Sequence, residues 1–158
     1  TCIGDYDKPA MRLPGSGGAA DFISYAKRTV LTMLGGQFVE KLDYLTSPGY
    51  LDGGDSRDRS GLFPKGSGPS MLLTTQGIFR FDPVTKEIYL AQIHPKVKLD
   101  DVKKNVPWDL KIAGDLSETP HPTDAEIDFI RNFAPNMAIG RELMLELTVA
   151  NLMKKMKK

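Results

Sequence analysis

Three short runs between Met71 and Gln92 constrain the fold more tightly than any other part of the chain. Met71 to Thr75 (MLLTT), Gly77 to Phe81 (GIFRF) and Glu87 to Gln92 (EIYLAQ) are rich in aliphatic, aromatic and β-branched residues, the composition of strands. Asp82-Pro83-Val84-Thr85-Lys86 separates the last two and reads as the turn between them. The last two runs therefore close into an antiparallel hairpin, and the chain must build a sheet around it. Thr29 to Met33, ended by Gly35-Gly36, reads as a further strand, as does Phe38 to Leu45, where apolar and polar residues alternate. Both are expected in one sheet, and Trp108 to Ile112 separately reads as a short strand.

Helical spacing alternates with these strands. Asp21 to Lys27 follows the glycine run Gly15-Ser16-Gly17-Gly18-Ala19-Ala20, so a loop enters a helix N-terminus directly. Leu99 to Val106 suits a short helix. Past the rigid break Pro120-His121-Pro122, Thr123 and Glu126 stand at capping-box spacing and start a helix with Ile127, Ile130 and Phe133 on one face. Leu143, Leu147, Ala150 and Met153 predict a second amphipathic helix from Met137 toward Lys158, so residues 123–158 read as C-terminal helices. At 158 residues and 41% apolar content, the chain has the size of one domain with a single core. It opens on TCIGDYDKP without a predicted strand or helix before the first turn, and a truncated start is the simplest expectation. A nucleophilic Thr1 would need more than a free amine beside its hydroxyl.

Residues 47–69 (SPGYLDGGDSRDRSGLFPKGSGP) lack any period and are dense in Gly, Pro, Asp and Ser. Such a stretch is either a functional, mobile surface loop or a loose connector. Asp52, Asp55 and Asp58 alternate there with Arg57 and Arg59, so the charges are expected to solvate one another.

Lys plus Arg number 21 against 20 for Asp plus Glu, a net charge of +1 that offers no steering toward nucleic acid or an anionic membrane. One cysteine, Cys2, excludes an internal disulfide, and no apolar run is long enough to span a bilayer, so the default location is the cytoplasm. His94 and His121 adjoin prolines at turns, where a structural or surface role fits better than catalysis. No metal-ligand spacing occurs. The remaining local signal is the loop Gly15 to Ala19. Glycines at 15, 17 and 18 allow a sharp turn and expose successive N–H groups, which with a helix N-terminus suit an anion or a developing oxyanion. An ordinary turn gives the same pattern.

Four blocks in order, IGDYDKPAMRLPGSGGAADF (Ile3 to Phe22), FVEKLDYLTSPGYLDG (Phe38 to Gly53), TTQGIFRFDPVTKEIYL (Thr74 to Leu90) and HPKVKLDDVKKNVPWDL (His94 to Leu110), resemble the C-terminal part of the B-type subunits of class I coenzyme A-transferases of the glutaconate type. The resemblance implies a partial NagB/RpiA-like α/β fold, in which a central sheet carries flanking helices and a β-hairpin, with residues 1–158 as one part of a B-type domain. It implies a hetero-oligomer with the A-type CoA-transferase subunit, acyl-CoA and carboxylic acid substrates, and no permanently bound cofactor. In that family a glutamate of the B-type subunit attacks the thioester, and a GxGGA element holds the thioester oxygen. Here that element is Gly15, Ser16, Gly17, Gly18 and Ala19, with the oxyanion role on the backbone of Gly17 and Gly18. Thr46, Ser47, Pro48 and Gly49 would form a wall of the cleft. The nucleophile lies in a Glu-Ser/Asn-Gly sequence, and none occurs in this chain. A basic stretch common in relatives is replaced by Leu34-Gly35-Gly36-Gln37. Relatives lacking the glutamate act as CoA-ester decarboxylases or ring-opening hydrolases, so those reactions stay open, as does a non-catalytic, partner-binding role.

Overall fold

The computed structural model describes residues 2–35 and 37–133, and the chain divides into two units, Thr1–Thr119 and Pro120–Lys158. The first unit is built on a five-stranded sheet. Its elements in chain order are β1 (Cys2–Ile3), β2 (Met11–Arg12), α1 (Gly18–Tyr25), β3 (Thr29–Met33), α2 (Ser56–Arg59), β4 (Pro69–Thr74), β5 (Gly77–Phe81), β6 (Ile88–Ile93), α3 (Leu99–Lys104) and β7 (Lys111–Glu118). The five strands β3 to β7 lie side by side in sequence order. The inner pairs β4–β5 and β5–β6 are antiparallel, whereas β3–β4 and β6–β7 are parallel. Each parallel pair needs a crossover, supplied by residues 34–68 on one side and by the α3 segment on the other.

The hairpin expected from the turn chemistry forms as β5 and β6. Asp82 Oδ1 accepts from the N–H groups of Val84 and Thr85 at 2.8 and 2.7 Å, and the Lys86 N–H donates to the Asp82 carbonyl at 3.0 Å. One face of the hairpin carries the core. Phe79 and Leu90 are fully buried against Val102 of α3, and Val106 and Leu110 complete the cluster. Burying each such side chain contributes about 1.5–3 kcal/mol.

Four expectations need correction. Phe38 to Leu45 is not a strand, because its alternating residues are used elsewhere. The Phe38 ring packs 5.1 Å from Phe79 and edge-on to Trp108, while Asp43 accepts from the Gly4 N–H and Tyr44 stacks on Tyr6. The strand expected at Trp108 to Ile112 begins only at Lys111 and runs to Glu118, since Trp108 is held in that aromatic contact. The N-terminus does form strands: β1 and β2 pair antiparallel, Cys2 with Arg12 and Ile3 with Met11.

The stretch 47–69 is neither a loose connector nor a set of mutually solvated charges. It contains α2, and Arg57 is buried at 2% exposure. Ser56 Oγ donates to the Tyr50 carbonyl at 2.8 Å, the Gly66 N–H donates to Asp58 Oδ1 at 2.9 Å, and the Gly54 N–H donates to the Thr85 carbonyl at 2.9 Å. Only the exposed Asp55–Arg59 pair, at 3.2 Å, behaves as the charge pattern suggested.

In the second unit, α4 (Asp124–Phe133) starts as expected. The Thr123 N–H donates to Glu126 Oε2 at 2.8 Å and the Glu126 N–H to Thr123 Oγ1 at 3.3 Å, both halves of a capping box. The helix expected from Met137 to Lys158 lies outside the described residues. Among those described, no helix is long and apolar enough to cross a membrane.

Candidate functional site

Gly17 caps α1 with φ 54° and ψ −139°, a backbone conformation that only glycine adopts without strain. The Ala19 N–H donates back to the Ser16 carbonyl at 3.1 Å, closing the turn. The first N–H groups of a helix lack partners within it. Among the described residues, no acceptor meets the N–H of Gly17 or Gly18. A β-carbon built on Gly15 or Gly17 would touch nothing within 4 Å, so the loop borders open space and no packed neighbour. Gly15, Gly17, Gly18 and Ala19 are exposed and Ser16 is half-buried. The loop thus leaves backbone N–H groups free at the positive end of a helix, with Asp21 in the first turn as the acidic residue of α1.

The other end of α1 is held differently. It has no basic residue in its last turn, yet the Arg57 guanidinium donates to the carbonyls of Ile23 (2.7 Å) and Ser24 (2.9 Å) there. The same group donates to the Gly49 carbonyl at 2.9 Å and to Ser67 Oγ at 3.2 and 3.3 Å, and lies over the Phe63 ring. No carboxylate reaches it within ion-pair distance among the described residues. Burial pushes its pKa below the ordinary arginine value, opposed by the fields of Tyr50 and Asp58. A buried cation of this kind is tolerable only because every side of the fork meets an acceptor.

Thr46, Ser47, Pro48 and Gly49 are half-buried. Their link to the glycine loop passes through Arg57 and α1: Gly49 is tied to the C-terminal end of the helix, and the loop sits at its N-terminal end. Tyr50 follows, its hydroxyl donating to the Pro69 carbonyl and its ring edge-on to Phe81 at 5.5 Å. Burial raises the Tyr50 pKa, so the phenol stays a donor.

Other candidates are structural. His94 bridges Thr119 Oγ1 and the Thr74 carbonyl, each at 2.9 Å. Cys2 is buried, its thiol 3.5 Å from the Gly4 carbonyl. Among the described residues, no group of three or more His, Cys, Asp or Glu is placed to hold a metal.

The family model for coenzyme A transferase matches residues 1–105 of the chain. The B-type subunit of glutaconate CoA-transferase from Acidaminococcus fermentans is 39% identical over 132 residues, covering 83% of this chain and 49% of the relative. The B-type subunit of 3-oxoadipate CoA-transferase from Pseudomonas knackmussii is 36% identical over 133 residues, covering 83% of this chain and 50% of the relative. The crystal structure of the A. fermentans glutaconate coenzyme A-transferase matches with a TM-score of 0.73 at 39% identity, over 83% of this chain and 50% of that one. The chain thus spans about half the length of the curated relatives it matches.

Proposed function

The chain belongs to the coenzyme A transferase family, and from that premise we propose that it forms part of a B-type subunit that moves CoA between an acyl-CoA and a carboxylic acid of the glutaconate or 3-oxo acid type. Both relatives are B-type components of such transferases, which supports the substrate class and an A-type partner. CoA enters as a thioester substrate.

The observation that carries the site is the pair of N–H groups at Gly17 and Gly18 that no acceptor among the described residues meets, at the N-terminus of α1 in an exposed loop. In the proposed step a carboxylate oxygen attacks the thioester carbon. The carbonyl π electrons move onto oxygen, which Gly17 and Gly18 receive by hydrogen bonds. Collapse of the adduct breaks the C–S bond, releases CoA thiolate and leaves an acyl anhydride. Such donors cost no reorganisation at the moment of reaction, and one is typically worth about 3 kcal/mol. None of the chain's glutamates precedes a Ser-Gly or Asn-Gly pair, so the attacking carboxylate is assigned to a residue outside this sequence. Gly15, Ser16 and Ala19 shape the cradle, and Thr46 to Gly49 form a wall of the cleft.

Gly18→Val tests this reading. Gly18 has no left-handed φ, and an added β-carbon would meet only the exposed Phe22 ring, at 3.3 Å, which can turn away. The fold should survive while the side chain covers the donors. In the enzyme assembled with its A-type partner, turnover should fall by about tenfold or more. Normal turnover would remove the oxyanion assignment.

A further inference from the structure

Outside the glycine loop, the least expected group in the molecule is the buried guanidinium of Arg57. Its acceptors come from three separate parts of the chain: Ile23 and Ser24 at the end of α1, Gly49 in the wall turn, and Ser67 just before β4. Little else holds α1 in place. The helix has only 8 residues, too few to be stable alone, and of its side chains only Ile23 is buried, while Phe22 and Tyr25 are more than two-thirds exposed.

From this geometry we infer that Arg57 is a positioning residue for the transfer reaction: by gripping the C-terminal carbonyls of α1 and the Gly49 carbonyl together, it aims the helix whose opposite end presents the Gly17 and Gly18 donors. The inference rests on the oxyanion reading of that loop. A helix of this length is a rigid lever of about 12 Å, so a small displacement at Ser24 is felt at Gly17. Misplacement of a reacting group by an ångström can cost about a hundredfold in rate. Arg57 also supplies the positive charge that α1 lacks in its own last turn. Lysine cannot substitute, because a single ammonium cannot span acceptors on three segments in a planar fork.

The experiment compares Arg57→Lys, Ser67→Ala, Gly18→Val and the Arg57→Lys/Gly18→Val double variant in the enzyme assembled with its A-type partner. Arg57→Lys should lower kcat by about tenfold or more while KM for the acyl-CoA changes less than about threefold. Ser67→Ala, which removes one acceptor and keeps the charge, should give a smaller loss of the same kind. Hydrogen exchange should rise in the amides of α1 in both and stay unchanged in β5 and β6. The double variant should be scarcely slower than the slower single one, since both changes act on the same donors. Wild-type kcat in Arg57→Lys and Ser67→Ala alongside a slow Gly18→Val would overturn the positioning role, as would effects that multiply in the double variant. Normal kcat in Gly18→Val with a slow Arg57→Lys would overturn the oxyanion reading instead. Should Arg57→Lys fail to assemble, Ser67→Ala alone decides, and wild-type kcat with unchanged α1 exchange counts against the inference.

Discussion

A β-carbon on Gly77 would lie 2.3 Å from the carbonyl oxygen of Gln92 on the neighbouring strand. The close approach comes at the start of β5, where Gly77 pairs with Ile93 and the register slips between Ile78 and Phe79. Thr74 Oγ1 fixes the approach by accepting from the Gly77 N–H at 3.0 Å.

Gly77→Ala is therefore expected to force β5 and β6 apart. A clash with backbone cannot be relieved by rotating a side chain, so the cost should be about 1–3 kcal/mol. A denaturant midpoint unchanged from wild type would contradict the packing described.

His94 separates structure from chemistry. A carbonyl can only accept, so Nε2 carries the proton given to Thr74, while Nδ1 stands 2.9 Å from the Thr119 hydroxyl. His94→Leu removes the donor and strands that carbonyl, for about 1–3 kcal/mol of lost stability. Turnover per folded enzyme should stay within about twofold of wild type; a larger loss would place His94 in the chemistry.

Glu126 gives a pH signature. The Thr123 backbone N–H, and then its hydroxyl, hold the carboxyl below the ordinary glutamate value of 4.5. A depressed folded value means that the stabilisation of the α4 N-terminus is present above pH 4.5 and is lost as pH falls through the folded value. Carboxyl NMR titration should find Glu126 below 4.5, and Thr123→Val should move it only part of the way back, because the backbone N–H remains. A wild-type midpoint at or above 4.5 would refute the capping box.

What the sequence disclosed was local. The β5–β6 hairpin was legible because Asp82-Pro83 carries its own turn chemistry, and the capping box because Thr123 and Glu126 are three residues apart. Gly17 was legible as a flexible position, though its unpartnered N–H became visible only with the helix in place. Phe38 to Leu45 misled because alternation records which residues want burial, not whether the backbone finds a ladder; Phe38 found Phe79 and Trp108 instead. Arg57 gave no signal at all. Within SRDRS it looks like Arg59, and what distinguishes it is a pair of carbonyls 33 and 34 residues away.

That distance bears on how the chain tolerates editing. Aperiodic, glycine-rich stretches are the usual places to insert a tag or trim a few residues. Between Gly49 and Ser67 one side chain instead reaches both ends, so an insertion that displaces Arg57 would release the carbonyls at the end of α1 even though every strand of the sheet kept its partners.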